Sequence, residues 1–340
     1  MRGFALICAL LVSIGAWGQW QPQNSGTDVQ LRGISAVSDK VAWASGAKGT
    51  ILRTIDGGAT WQKLEIMDAD DLDFRDIQAF DQNTAYALSI GEGDKSRIYK
   101  TTDGGRIWQR QFINYNPQAF YDCFAFWDST HGIALSDSVD GKFPLIATSD
   151  GINWNPVAVK TMPAALPKEG AFAASGTCIA TFGKNDVWFA TGGPAARVFH
   201  SSDRGMNWTV AETPVLHGQA TQGIFSIAFW SAKDGLAVGG DYQKPSQGGE
   251  NAAVTHDGGK TWKLSTATLP GYRSAVAVVG SASPHFVAVG TSGADASTKP
   301  EEKWSHLDDG NYNAISFAGQ AGWAVGPAGR IVHILHAAEK

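Results

Sequence analysis

Short apolar runs alternate with polar turns along nearly the whole chain. Seven of these runs open a repeating unit, in which a second run such as Val41-Ala42-Trp43-Ala44 and a third such as Thr50-Ile51-Leu52-Arg53 follow. Runs of this length, bounded by glycine and aspartate, are typical of β-strands, and we find no stretch with helical periodicity. The pattern predicts an all-β chain of seven repeats. The opening runs span residues 34–37, 77–80, 124–127, 179–182, 227–230, 276–279 and 315–318.

A turn motif with the pattern Ser/Thr-x-Asp-x-Gly-x-Thr-Trp, in places loosened or shortened by one residue, follows the third run in five of the repeats. Glycine adopts positive φ without steric cost, and a short aspartate side chain accepts hydrogen bonds from its own turn, so the motif ends one strand and starts the next. An active site needs one set of residues, whereas this motif recurs. We therefore interpret its aspartates as structural rather than catalytic. They are Asp56, Asp103, Asp150, Asp203 and Asp257.

The tryptophans that end the motif mark the start of the fourth strand in each repeat. Trp20 and Trp304 stand in the same register without the rest of the motif, which brings the number of fourth strands to seven. Trp20 precedes the first repeat, whereas the repeat that begins at Ile315 has only three strands of its own. The N-terminal strand must then pair with the last repeat. We predict one domain over residues 19–340, a seven-bladed β-propeller of four-stranded blades that its N-terminal strand closes into a ring.

Composition and the N-terminus narrow the class of protein. The 340 residues are 43% hydrophobic and 17% charged, with a net charge of −5, which indicates a globular chain with no affinity for nucleic acid or an anionic membrane surface. Arg2 precedes an apolar run that ends at Ala16, and Ala16-Trp17-Gly18 provides a cleavage site. We expect residues 1–18 to be a signal peptide and the mature protein to be a secreted or periplasmic monomer without a membrane span. An uncleaved anchor is the alternative.

Two cysteines, Cys123 and Cys178, remain after residue 18. They hold the same position in neighbouring repeats, one residue before the opening of the first strand. In a propeller this position lies near the central channel. We expect either a disulfide, for which the Cα atoms must come within about 7 Å, or two inert buried thiols.

Ligands of propellers commonly bind where the loops lead into the first strands. The position two residues before each opening differs between repeats, as a binding site requires. Arginine occurs there, and its guanidinium fork bonds a carboxylate or a phosphate in two places. The alternative is a rim of solvated side chains with Arg–Asp pairs. The predicted ligand-binding rim consists of Arg32, Arg75, Arg273 and Asn313, and Tyr121, Asp122 and Tyr312 lie beside it.

A long loop, residues 162–172, precedes the first strand of the fourth repeat, and we expect it to lie over the same rim. Its Glu169 is the carboxylate suited to act there as an acid or base. The acidic loop at residues 68–73 lacks the glycine and the twelfth-position glutamate of a calcium loop, and no Gly-x-Gly-x-x-Gly joins a strand to a helix. We therefore expect neither a metal nor a cofactor.

The chain resembles the photosystem II stability/assembly factor family of the sialidase-like superfamily, whose repeated turn is the Asp-box of the bacterial-neuraminidase (BNR) repeats. The resemblance rests on the five turn motifs, on Trp-Gln-x-Gln-Asn-Ser-Gly at residues 20–26 and on the Ala-Val-Gly strand endings. It covers essentially the whole mature chain. It implies a role in assembly without catalysis, because plastid and cyanobacterial members assist the assembly of a membrane complex. It supplies no catalytic residue.

Two classes of function follow. We predict an exported, non-catalytic propeller that serves as a binding or assembly scaffold for a protein partner or a small anionic or glycan ligand. The alternative is a sialidase-like glycoside hydrolase, with arginines on the sugar carboxylate, a tyrosine–Glu169 nucleophile pair and Asp122 as the acid. An oxidoreductase comes third. The first two are distinguished by whether Tyr121 or Tyr312 lies within hydrogen-bond distance of Glu169.

Overall fold

The computed structural model describes residues 19–280 and 283–335, which form seven antiparallel sheets around a central channel. The prediction of an all-β, seven-bladed propeller is confirmed. The predicted signal peptide, residues 1–18, lies outside the described residues. Within the described ranges, the one helix is a 3-10 turn at Gly93–Lys95, and none is long and apolar enough to cross a membrane.

Each sheet is one blade, and we number the blades in chain order. Strands are given from the channel outward. Blade 1 comprises Leu31–Ala36, Ala42–Gly46, Ile51–Thr54 and Gln62–Leu64. Blade 2 comprises Asp73–Ala79, Ala85–Ile90, Arg97–Thr101 and Gln109–Ile113. Blade 3 comprises Tyr121–Asp128, His131–Ser136, Leu145–Thr148 and Asn155–Pro156.

Blade 4 comprises Ile179–Phe182, Asp186–Ala190, Arg197–Ser201 and Thr209–Glu212. Blade 5 comprises Gln219–Phe229, Gly235–Asp241, Ala252–Thr255 and Lys263–Leu264, and a short fifth strand, Gly192–Gly193, pairs with the first of them. Blade 6 comprises Ala275–Val279, His285–Gly290, Gly293–Lys299 and Lys303–Asp308. Blade 7 comprises Ala314–Ala318, Ala321–Val325, Ile331–Leu335 and, as its fourth strand, Gln19–Gln23.

The N-terminal strand closes the ring as predicted. Gln19–Gln23 pairs antiparallel with Ile331–Leu335, and Trp20 stands opposite Ile334. The Trp20 ring packs against Tyr312, with ring centroids 5.1 Å apart. Strands from the two ends of the chain thus share one hydrophobic core, and Ile331–Leu335 is paired on both of its edges.

The aspartates of the Asp-boxes accept hydrogen bonds from their own turns. Asp56 accepts the N–H of Thr60 at 2.9 Å and the hydroxyls of Thr60 and Thr54 at 2.6 and 2.8 Å. The hydroxyl of Thr60 is the main reason why the pKa of Asp56 falls to about 2. Bonds of this kind hold the other four aspartates, Asp103, Asp150, Asp203 and Asp257.

A further interblade contact repeats around the ring. An aromatic side chain in the second strand of three blades hydrogen-bonds to a backbone carbonyl of the next blade. Because a carbonyl left unpaired in a buried position costs about 1–3 kcal/mol, these contacts tie neighbouring blades together. The pairs are Trp43 with Asp81 at 3.1 Å, Tyr86 with Gly151 at 3.0 Å and Trp188 with Gly258 at 2.9 Å.

The inner strands are also joined directly around the channel. The N–H of Ala79 in blade 2 donates to the hydroxyl of Ser35 in blade 1 at 3.0 Å. Cys123 and Cys178 form a disulfide with their Cα atoms 6.2 Å apart, and both are buried. The disulfide therefore links blade 3 to blade 4 near the axis of the propeller.

Candidate functional site

Residues 172–177, which follow the long loop before blade 4, cross the channel at the end where loops lead into the first strands. We call this segment the strap, and its hydrogen bonds reach blades 2, 5 and 6. They run from Nη1 of Arg75 to the carbonyl of Ala173 (3.0 Å), between the hydroxyls of Thr177 and Ser226 (2.7 Å), and from the hydroxyl of Ser175 to the carbonyl of Ser274 (2.8 Å).

Small residues allow the strap to pass close to the channel wall. Gly176 has a φ of +79°, and a Cβ at this position would lie 2.3 Å from Oδ1 of Asp76 in blade 2. Asp76 accepts the N–H of Phe124 at 2.8 Å, and burial raises the pKa of its carboxyl well above the usual range. The strap separates a cavity above it, lined by residues 172–174, from the channel below it, lined by residues 175–177.

The cavity above the strap, which we call the mouth cavity, has a volume of about 370 Å³. It combines polar side chains with an aromatic cluster. Phe172 of the strap stacks on Phe225, with ring centroids 3.8 Å apart, and Tyr272 meets Phe225 edge-on at 4.7 Å. The polar lining consists of Gln30, Arg32, Arg75, Thr291 and Asn313.

The two arginines of the mouth cavity outnumber their carboxylate partners. Arg75 donates from Nε to Asp73 at 2.8 Å. Arg32 has no carboxylate partner among the described residues; when the Gln30 amide is oriented with its oxygen toward the guanidinium, Nη2 of Arg32 donates to it at 2.9 Å. Burial, and then the charge of Arg75, lower the pKa of Arg32. Two guanidinium groups against one carboxylate attract an anionic group into the cavity.

Arg273 does not belong to this site, which corrects the predicted rim. It is fully buried, and it donates from Nε to Asp295 at 2.8 Å and from Nη1 to the carbonyl of Tyr272 at 2.8 Å. Arg32 and Arg75 stand two residues before the opening of their strands, whereas Arg273 stands three residues before it. Because successive side chains of an extended segment point to opposite faces, Arg273 turns away from the cavity.

Asn313 lies where the rim was predicted, lining the mouth cavity, and its amide also donates to the carbonyl of Leu31 at 2.7 Å. Of the aromatic cluster, Phe225 stands two residues before the opening at Ile227, the position used to predict the rim, whereas Tyr272 was missed. Tyr272 stands four residues before the opening at Val276, so the two-residue periodicity that selects Arg32 would have found it. Phe172 ends the long loop that was expected over the rim, but no sequence pattern indicates that the following residues cross the channel.

Glu169 is buried and cannot meet a ligand in the mouth cavity. Its carboxylate accepts the N–H of Leu166 at 2.8 Å, the hydroxyl of Thr191 at 2.6 Å and Nε of Arg197 at 2.7 Å. These bonds occupy both carboxylate oxygens. The interpretation of Glu169 as an acid or base at the rim is therefore corrected: the side chain anchors the base of the long loop to blade 4.

The other residues of the sialidase-like alternative are also buried. Tyr312 donates its hydroxyl to Asp308 at 2.6 Å, and Tyr121 packs edge-on against Phe112. Asp122 lies beneath the strap, where burial, and then the nearby Asp137, raise the pKa of its carboxyl well above the usual range. Among the described residues, neither tyrosine hydroxyl hydrogen-bonds to Glu169. The pair that the hydrolase alternative requires is not formed.

No group of three or more His, Cys, Asp or Glu side chains within residues 19–280 and 283–335 is placed to hold a metal ion.

Comparison with known proteins agrees with the fold and the repeats. Residues 13–120 match the family model described as photosynthesis system II assembly factor YCF48, and residues 253–264 match the BNR/Asp-box repeat. A search of the curated proteins found no match.

Several solved structures share the architecture. YCF48 bound to a D1 peptide is 14% identical, with a TM-score of 0.65 over 96% of this chain and 99% of that chain. YCF48 from Cyanidioschyzon merolae is 16% identical, with a TM-score of 0.62 over 94% and 99% of the two chains. Virginiamycin B lyase from Staphylococcus aureus is 14% identical, with a TM-score of 0.66 over 93% and 99%. At these identities the likeness shows the fold, which proteins of different function share.

The repeats, the blade count, the closure and the family match agree with one another. The chain is a seven-bladed Asp-box β-propeller whose N-terminal third is similar to the photosystem II assembly factor family.

Proposed function

We propose that this chain is an exported, non-catalytic propeller that binds a segment of a protein partner at its mouth cavity and acts as a scaffold in assembly. The observation that carries the proposal is the pair of guanidinium groups of Arg32 and Arg75, which line the cavity, while a single carboxylate, Asp73, pairs with Arg75. An anionic group of the partner, such as a carboxylate, supplies the missing charge.

The aromatic cluster supports a peptide as the partner. Phe172, Phe225 and Tyr272 place apolar rings beside the arginines, so that a segment with an acidic group next to an apolar side chain satisfies both parts of the cavity. Tyr242, which is half exposed at the edge of the cavity, extends the apolar surface outward. The structure of YCF48 with a D1 peptide supports peptide binding by a propeller of this fold.

Export is supported by the apolar segment in residues 4–16 and by the disulfide between Cys123 and Cys178. Disulfides persist in oxidising compartments and are rare in the cytosol. N-terminal sequencing of the protein recovered from an expressing bacterium tests the proposal. We expect Gln19 as the first residue in the periplasm or medium. A chain that retains Met1 in the membrane fraction would show an uncleaved anchor instead.

A peptide selection tests the mouth cavity. Ten-residue peptides are selected from a random library on purified residues 19–340, and their affinities are measured by calorimetry for the wild type, R32A, R75A and the control R110A, which alters an exposed arginine on the outer strand of blade 2. We expect selected peptides to carry an acidic group and R32A to weaken binding about 10- to 100-fold, because hydrogen bonds to charged groups contribute about 1.5–3 kcal/mol. Peptides that bind R32A, R75A and R110A equally would contradict the proposal.

The glycoside hydrolase alternative draws no support from the described residues. Glu169 and Asp122 are buried, and Tyr121 and Tyr312 contact residues other than Glu169. Product detection with a panel of sialosides tests it independently. Turnover that disappears in D122N would establish an enzyme in place of the scaffold.

A further inference from the structure

Arg204 takes the place of a glycine in the Asp-box of blade 4. At the corresponding position of three other boxes, Gly57, Gly104 and Gly258 have φ between +76° and +80°, and each donates its N–H to the turn between the first two strands of its blade. Arg204 has a φ of +60° and donates its N–H to the carbonyl of Asn185 at 3.0 Å in the same way. This left-handed region is one that side chains with a Cβ rarely adopt, and such outliers concentrate at functional sites.

The Arg204 side chain bridges blades 3 and 4. Its Cζ lies 5.3 Å from the centre of the Trp127 ring, and its Nε donates to the carbonyl of Lys184 at 2.8 Å. These two contacts fix the position of the guanidinium. Nη1 and Nη2 have no acceptor among the described residues, and no carboxylate pairs with them. The fork is held in place with its hydrogen-bonding edge unused.

The guanidinium lines an open cavity of about 530 Å³ between the two blades. Trp127 and Met206 provide apolar surface, and Asn155 and Asn185 provide exposed amides. Asp203 also lines the cavity, but its carboxylate is turned into the box, where it accepts the N–H of Asn207 at 2.9 Å and its amide at 2.6 Å.

The hydrogen-bonding groups of the other charged residues that line the cavity are already occupied. His131 faces Asp128, with its Nδ1 2.9 Å from a carboxylate oxygen. Asp203 keeps its negative charge but directs its oxygens into its own box, and His131 is paired with Asp128. The free Nη groups of Arg204 therefore leave a guanidinium edge in the cavity that is open to an oxyanion.

We propose that this cavity is a second binding site, specific for an oxyanion, a carboxylate or a phosphate, that Nη1 and Nη2 of Arg204 bind while the rest of the ligand contacts Trp127 and Met206. The site lies at the Asp-box end of the blades, whereas the mouth cavity lies at the end where loops lead into the first strands. It is independent of the proposed function, because neither its residues nor its ligand need the mouth.

Calorimetric titration with inorganic phosphate and with succinate tests the site. Both anions are titrated at low ionic strength into the wild type, R204G, R204K and R32A. R204G restores the glycine of the other boxes, so the fold is retained, and we expect its melting temperature to be no lower than that of the wild type.

We expect the wild type and R32A to bind at least one of the two anions, and R204G to bind it at least about tenfold more weakly. R204K keeps the charge without the planar fork, and we expect its affinity to lie below that of the wild type. Which anion binds distinguishes a phosphate from a carboxylate ligand.

Three results would overturn the proposal: no saturable binding of either anion to the wild type, equal binding by R204G, or full affinity in R204K. Loss of binding in R32A rather than R204G would place the anion in the mouth cavity. That result would reject this second site and support the proposed function. Failure of the second site and failure of the proposed function therefore give different results.

Discussion

Glu169 of the long loop and Arg197 of blade 4 form a buried ion pair, with Nε of Arg197 2.7 Å from Oε1 of Glu169. The second guanidinium contact, from Nη2, reaches the other carboxylate oxygen. Both side chains are buried, and the hydroxyl of Thr191 and the N–H of Leu166 complete the hydrogen bonding of the carboxylate. A buried pair of this kind makes the two partners dependent on one another, because either charge alone is strongly disfavoured away from water.

The substitution E169Q should therefore destabilise the fold. It leaves the Arg197 guanidinium buried without its counter-charge, and we expect the free energy of unfolding to fall by about 3 kcal/mol or more. Urea denaturation followed by tryptophan fluorescence measures the change. The matched control is D71N, which breaks the exposed pair between Asp71 and Lys95 and should alter stability little. Equal effects of the two substitutions would show that the Glu169–Arg197 pair is not the anchor described here.

Asp137 should make stability depend on pH. Its carboxylate accepts the N–H of Ala171 at 2.8 Å, and burial raises its pKa to about 6. The folded protein binds this proton more tightly than the unfolded chain, where the pKa is about 3.9, so the contribution of Asp137 to stability falls as pH rises from about 4 to about 6. D137N does not titrate. Its stability relative to the wild type should rise over that interval, by up to about 3 kcal/mol.

Urea unfolding of D137N and the wild type at pH 4, 5, 6 and 7 provides the comparison. The difference in stability should change through the interval and level off above it. A difference that stays constant from pH 4 to pH 7 would mean that the pKa of Asp137 is the same in the folded and unfolded states.

The disulfide should contribute strongly to stability because it closes a long loop. Cys123 and Cys178 are 55 residues apart in sequence, and a cross-link over a loop of this length stabilises a fold by about 4 kcal/mol through the unfolded state. We expect the double variant C123A/C178A to lose about this amount in urea denaturation. A reducing agent should lower the stability of the wild type toward that of the variant and leave the variant unchanged. An unaffected wild type would show that the bridge does not form in solution.

The strap should tolerate no side chain at its glycine. Gly176 and Gly26 have similar φ values, +79° and +71°, but a Cβ on Gly176 would meet Asp76, whereas a Cβ on Gly26 would have no neighbour within 4 Å. Both alanine substitutions incur the cost of a positive φ, about 1 kcal/mol. G176A should lose about 1–3 kcal/mol more, because the collision forces the strap or the channel wall to move. Equal losses in thermal unfolding would mean that the strap lies farther from Asp76.

The ring and its blades are predictable from sequence because their determinants are local and repeated. A box such as Thr54 to Trp61 specifies its turn through bonds among its own residues, and the same spacing recurs in each blade. The position of Trp20, ahead of the first repeat, identifies the closing strand without any long-range information. Here the local pattern and the global architecture require the same residues.

The site is only partly predictable because it depends on contacts between distant segments. Arg32 and Arg75 follow from their place before a strand, whereas Arg273, one residue further along the alternation, points into its blade. The strap brings Ser175 to Ser274 across the channel, a contact between residues 99 positions apart that no local pattern encodes. The role of Glu169 likewise depends on its contact with Arg197, which no local pattern encodes.

The pairing of Trp20 with Ile334 has a consequence for synthesis. A ribosome that adds about 5–20 residues per second takes roughly 15–60 s to pass from one of these residues to the other. During that time the strand that carries Trp20 has no partner, and a strand with free backbone groups pairs readily with other chains. The ring cannot close until its last blade has been synthesised. A cell that produces the protein must therefore keep the first strand from aggregating until that strand can pair.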